Sequence, residues 1–179
     1  MRTLIASIEG EYRRYKTLAE GAMAQVADDA GLTHAAASDN SIANIVRHIS
    51  GNLKSRFTEF LTSDGEKPWR DRDSEFLARD VTRAGLQAAW EEGWRVLFVA
   101  LAALSDADLE RTVTIRAQPL TVAEALHRSL AHTSYHVGQI VYLAKALCGA
   151  GWRSLSIPPG QSARYNQAPA LERVPRTIR

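Results

Sequence analysis

Two of the chain's five histidines, His132 and His136, stand four residues apart in the stretch SLAHTSYHVGQIVYLAK. Successive residues of an α-helix turn by about 100°, so these two lie within roughly 40° of each other on one face. Paired this way, two imidazoles can point at one ion, and imidazole suits zinc, nickel, cobalt or copper. The same spacing also serves a helix without metal, its histidines hydrogen-bonded near a core, and a third ligand is what distinguishes the two readings. His48, in IVRHISGNL, flanks another apolar stripe and is the histidine best placed to complete a three-histidine site. His34 sits in a loop beside three alanines, and His127 falls roughly 140° around the helix from His132.

Three protein ligands with open positions are the arrangement of a catalytic ion, whereas a sealed structural site normally has four. The zinc-protease pattern places a glutamate base directly after its first histidine. Thr133 stands there instead and cannot take that proton. No Walker-type loop, dinucleotide fingerprint or GxSxG elbow competes. No spacing marks a general base. Asn52 and Glu59 share the flank of His48, Gln139 follows the face of His132 and His136, and Tyr135 lies between the pair. For all four, ordinary hydrogen bonding is the simpler role.

The elements that must position these groups are helices. Apolar periodicity of about 3.6 residues marks four segments. The first runs from about Arg2 to Val26, with Leu4, Ile8, Tyr12, Tyr15 and Leu18 on one face. The second follows the cap residues Asp39-Asn40-Ser41 and continues to about Leu61, its stripe being Ile42, Ile45, Val46, Ile49, Leu53, Phe57 and Phe60. The third spans about Val81 to Leu104 and carries Leu86, Trp90, Trp94, Leu97, Phe98 and Leu101, the tryptophans read as core or dimer contacts. The fourth opens at Thr121 with Glu124 three residues on, a capping-box signature, and ends near Gly149.

No strand of convincing length intervenes, although TVTI before the fourth helix can pair as a very short one. The expected architecture is all-α, a four-helix bundle over 1–150 with long connections, followed by an irregular tail over 151–179 packed on the same domain. In the second connection, GEKPWRDRDSEF, two readings stand. Trp69 with Lys67, Arg70 and Arg72 either lids a cleft and offers cations to an anionic substrate, or is a buried anchor with its charges solvated.

Composition bounds the rest. The chain has 179 residues, 23% of them charged, a formal net charge of +2 and one cysteine, Cys148. It fits one soluble domain without an intrachain disulfide, in a reducing compartment. The weak net charge argues against non-specific nucleic-acid binding, and the arginines of LERVPRTIR read as a solvated terminus. Glu9 and Glu11 interrupt any signal-peptide core. The longest apolar run, Val96 to Leu104, is about half of a membrane span. A cytoplasmic protein is expected.

Three features together resemble the DinB/YfiT-like superfamily of metal-binding four-helix bundles. They are a histidine in the second helix, a short irregular stretch before the last long helix, and HxxxH within that helix. SIANIVRHISGNLKSRFTEFLTSDGEKPWRDRDSEF, HTSYHVGQIVYLAK and the tail SIPPGQSARYN look like an uncharacterised bacterial branch of it. The resemblance covers about Ile42 to Asn166. It implies an up-down-down-up bundle, often a homodimer, with His48, His132 and His136 as ligands of one divalent ion, commonly zinc or nickel. It also implies a metal-dependent enzyme acting on a small molecule, a transferase of a low-molecular-weight thiol or a hydrolase. The alternative is a non-catalytic dimeric module that binds a metal or small ligand in stress physiology.

Overall fold

A computed structural model describes residues 2–34, 40–77 and 81–170, and the chain is mostly helical. The four segments read as helical are helices: α1 (Thr3–Met23), α3 (Ile42–Phe57), α4 (Arg83–Ala102) and α5 (Val122–Cys148). Two short ones, α2 (Asp29–Thr33) and α6 (Ser162–Tyr165), fall in stretches read as connection and tail. TVTI does pair: β1 (Thr112–Ile115) lies antiparallel to β2 (Gln118–Thr121).

The start signals act as side-chain chemistry predicts. Ser41 Oγ accepts from Asn44 N at 3.2 Å to cap α3, while Asp39 lies outside the described residues. Thr121 and Glu124 form the expected capping box on α5, whose end is turned by Gly149 at φ 52°. The N-terminus of α1 has no cap of its own. Asp106, about a hundred residues away, accepts there from the backbone N–H of Thr3, Leu4 and Ile5 at 2.7, 3.1 and 3.0 Å.

Helix α3 stops before Leu61. Its last turn is gripped by the returning chain, with Ser55 Oγ donating to Gly65 O at 2.7 Å and Arg56 bonding the same carbonyl. Thr58 is extended and Glu59 left-handed at φ 49°, which swings Phe60 back onto Phe57 at 5.1 Å between ring centroids. Glu59 therefore leaves the flank of His48.

Helix α1 packs chiefly on α5, and α3 chiefly on α4. The α3 stripe is buried as read, from Ile42 to Phe60. On α1 the buried face is Ile5, Ile8, Tyr12, Ala19 and Ala22, Tyr15 and Leu18 pack against the core partly buried, and Leu4 is 45% exposed. Tyr12 joins all four long helices. Its ring meets Phe57 and Trp94 edge-on at 6.5 and 6.2 Å, and its hydroxyl donates to Leu126 O at 3.2 Å. Trp90 and Trp94 are core residues, 1% and 0% exposed. Where α4 faces α3, a Cβ on Gly93 would come within 2.8 Å of Ser50 Cα, so only glycine fits there. After Gly151 the tail lays Trp152 and Leu155 against the core, and residues 171–179 lie outside the described residues. Among the described residues no helix is long and apolar enough to cross a membrane.

Candidate metal centre

Helix α3 presents His48 inward at 4% exposure, and α5 presents His132 and His136 one turn apart. One ring nitrogen from each lies within 4.8 Å of the others. His48 Nε2 and His132 Nε2 are 3.1 Å apart. Two nitrogens bound tetrahedrally at about 2.0–2.1 Å from one ion would stand about 3.3 Å apart, so this spacing suits a shared ion.

Neighbouring groups fix which nitrogens carry protons. A carboxylate can only accept, so His48 Nδ1–H donates to Glu75 Oε2 at 2.8 Å and leaves Nε2 with its lone pair. Gln139 Oε1 accepts from His136 Nδ1 at 2.7 Å, to the same effect. His136 Nε2 is then buried without a hydrogen-bond partner among the described residues. Lone pairs gathered at one point, one of them orphaned, form a donor set that can hold a metal ion.

The electrostatics agree. Burial, reinforced by the charges of His136 and His48, lowers the His132 pKa to about 3, so the ring stays neutral and free to ligate. Burial also lowers His136, against the opposing bond from Gln139. Burial alone would raise the carboxyl of Glu75, but His48 and Arg70 together hold it below the usual range. Arg70 grips both Glu75 oxygens, Nε to Oε1 at 2.8 Å and Nη2 to Oε2 at 2.9 Å.

Glu75 is the group that spacing did not reveal, standing 27 residues from His48 in a connection rich in acidic side chains. Its seat is a missing side chain on α3. A Cβ on Gly51 would fall 2.1 Å from Glu75 Oε1. A glycine inside a strongly periodic helix, one turn beyond the candidate ligand, is the signal that could have announced a close approach.

The same connection inverts one expectation. Trp69 is 54% exposed, whereas Lys67 is 7% exposed and the Arg70 side chain 2%. Tryptophan is no buried anchor here. Its ring lies under Lys54 Nζ at 5.8 Å, and the connection is anchored instead by its cations. Lys67 Nζ donates to Ser63 Oγ at 2.6 Å and to Asp64 O. His34 and His127 are exposed and stand apart from the cluster. Asn52, Tyr135 and Gln139 line a cleft of about 490 Å³ in front of the three histidines, and Glu59 does not.

Fold and site together define a mostly helical protein with three convergent imidazoles at the base of a cleft. Residues 2–161 match the family described as "Protein of unknown function (DUF1572)", and the chain belongs to it. No curated protein and no solved structure matches the chain.

Proposed function

We propose that His48, His132 and His136 hold one divalent ion, zinc or nickel, and that the protein is a metal-dependent enzyme acting on a small molecule in the adjoining cleft. The observation that carries this reading is the convergence of three ring nitrogens within 4.8 Å with His136 Nε2 buried and unpaired. A divalent ion with three imidazole ligands and an open position lowers the pKa of a thiol or a water enough to make a nucleophile near neutral pH.

The chain's own residues then orient and exclude. Glu75 and Gln139 hold the rings of His48 and His136, and Phe76 covers the His48 ring at 4.9 Å. Among the described residues, those lining the cleft include no aspartate or glutamate to relay a proton from water. A thiol, with an ordinary pKa of about 8.5, needs less help than water, so transfer of a low-molecular-weight thiol is better supported than hydrolysis. The up-down-down-up order of the DinB/YfiT-like superfamily, and its homodimer, belong to the same reading. What supports the fold assignment is HxxxH on the last long helix with the third histidine on α3.

The test is metal content, by elemental analysis of untagged protein purified without added metal, beside His48→Ala and His132→Ala. About one ion per chain is expected, the stoichiometry of a single three-histidine site. Both variants should lose it while keeping the helical circular dichroism of the parent. Absence of metal together with no uptake of zinc or nickel would refute the proposal.

A further inference from the structure

The cleft before the histidines is lined by five arginines, Arg56, Arg70, Arg72, Arg116 and Arg128, and among the described residues by no carboxylate. They come from α3, the connection after it, the β1–β2 turn and α5, so the fold gathers them from four places. Two carboxylates behind the wall neutralise part of this charge. Glu75 takes Arg70 in the bidentate pair described above. Arg56 and Arg116 share one oxygen of Glu66, at 3.2 and 2.8 Å.

Arg72 and Arg128 have no buried carboxylate partner among the described residues. Arg72 lies over the Phe76 ring at 5.1 Å and meets only the outer edge of Asp73 at 3.5 Å, whose side chain is 95% exposed. Arg128, one turn before His132 on α5, has no hydrogen bond or ion pair among the described residues. Five guanidiniums against Glu66, Glu75 and the exposed Asp73 leave a surplus of two positive charges in one cleft. The whole chain carries a formal charge of +2, so the cleft alone holds a surplus as large as the chain's. Guanidinium forks match planar and tetrahedral oxyanions, and an excess of like charge in a cleft focuses the field on an incoming anion.

We propose that the cleft binds a small molecule bearing an oxyanion, a carboxylate or a phosphate, received by Arg128 and Arg72 while its reacting end lies toward the histidines. The direction of the reacting end rests on the metal-centre reading, whereas capture of the anion needs no metal ion.

Isothermal titration of the full chain, both zinc-loaded and metal-stripped, tests this with succinate, inorganic phosphate and neutral succinamide as probes. Succinate or phosphate should bind both forms, weakening as salt rises, and succinamide should not bind. The tighter of the two anions identifies the headgroup. Arg72→Gln combined with Arg128→Gln should weaken binding by about tenfold or more, at unchanged zinc stoichiometry and melting temperature. Arg128→Lys, which keeps the charge without the fork, should lose less. Anion binding that persists where zinc does not bind, and that falls in the double glutamine variant, would remove the metal reading and support this one. The proposal is overturned if succinamide binds as well as succinate, if the double variant binds anions as tightly as the parent, or if neither anion binds.

Discussion

Gly51→Ala should weaken the fold and the metal centre together, although alanine is the better helix former. At an interior position of α3 the change from glycine gains about 1 kcal/mol of helix propensity. The new Cβ, however, would stand 2.1 Å from Glu75 Oε1 and 3.0 Å from its Cδ. Ordinary contact requires about 3.4 Å or more, so the carboxylate must retreat by about 1.3 Å. It is held by three bonds of 2.8–2.9 Å, from His48 Nδ1, Arg70 Nε and Arg70 Nη2. A retreat of that size breaks at least one charge-assisted bond, at about 1.5–3 kcal/mol each, in a setting where breaking the whole pair costs about 3–5 kcal/mol. The net expectation is a loss of about 1–3 kcal/mol in urea unfolding of the metal-free protein, followed by far-ultraviolet circular dichroism. Zinc affinity should fall about 10–100-fold, since the His48 ring loses the acceptor that orients it. A double-mutant cycle isolates the cause. In a Glu75→Ala background, Gly51→Ala should stabilise by about 1 kcal/mol, the propensity alone. A Gly51→Ala protein at least as stable as the parent, with unchanged zinc affinity, would refute the seating of Glu75 on Gly51.

Two other outcomes concern pH and the β1–β2 turn. An unfolded histidine takes its proton near pH 6.5, but folded His132 resists it down to about 3. Below 6.5 the unfolded chain therefore binds a proton that the folded chain refuses, and the stability of the metal-free protein declines as pH falls from 6.5 toward 3. The urea midpoint should be lower at about pH 5 than at about pH 7.5, with a smaller drop in His132→Ala, and an equal drop in both proteins would remove His132 as the cause. In the β1–β2 turn Arg116 and Ala117 adopt φ 55° and 58°, a left-handed pair clamped by Asp64, which accepts from both backbone N–H groups at 2.9 and 2.7 Å. Ala117→Gly should raise stability by about 0.5–1 kcal/mol by relieving that strain, and a lowered urea midpoint would count against it.

The helices were legible because burial is periodic, and local periodicity survives in the chain whatever packs above it. Ile42 through Leu53 on α3, and the Thr121–Glu124 box, were read nearly residue for residue. On α1 Ile8 and Tyr12 were read correctly, whereas Leu4 was read in place of the buried Ile5, and Ala19 and Ala22 were missed because alanine carries weak apolar signal although both are fully buried. His132 and His136 could be paired by helical phase, and His48 joined them from its place on the flank of another apolar stripe and from the family resemblance. Glu75 could not be read in this way, because its pairing with His48 depends on how a connection folds across α3. The same holds for the exposed Trp69 beside the buried Lys67 and Arg70, where long cations reach carbonyls and carboxylates that only the folded connection supplies.

His48 rides with the α3–α4 pair, and His132 and His136 ride with α1–α5. On the proposed reading, an ion gripped by all three would be a rivet across the seam of the two helix pairs, closing a chain loop of 84 residues between His48 and His132. Bound to the folded form alone, it adds about 2.7 kcal/mol of stability when free metal stands about a hundredfold above its dissociation constant. The linkage also runs the other way. Any sliding of one helix pair along the other alters the 3.1 Å interval between His48 and His132. If the proposed ion binds, substitutions buried deep in the seam, touching no histidine, will therefore register as changes in its affinity, and the rivet becomes a gauge of how the two halves are set.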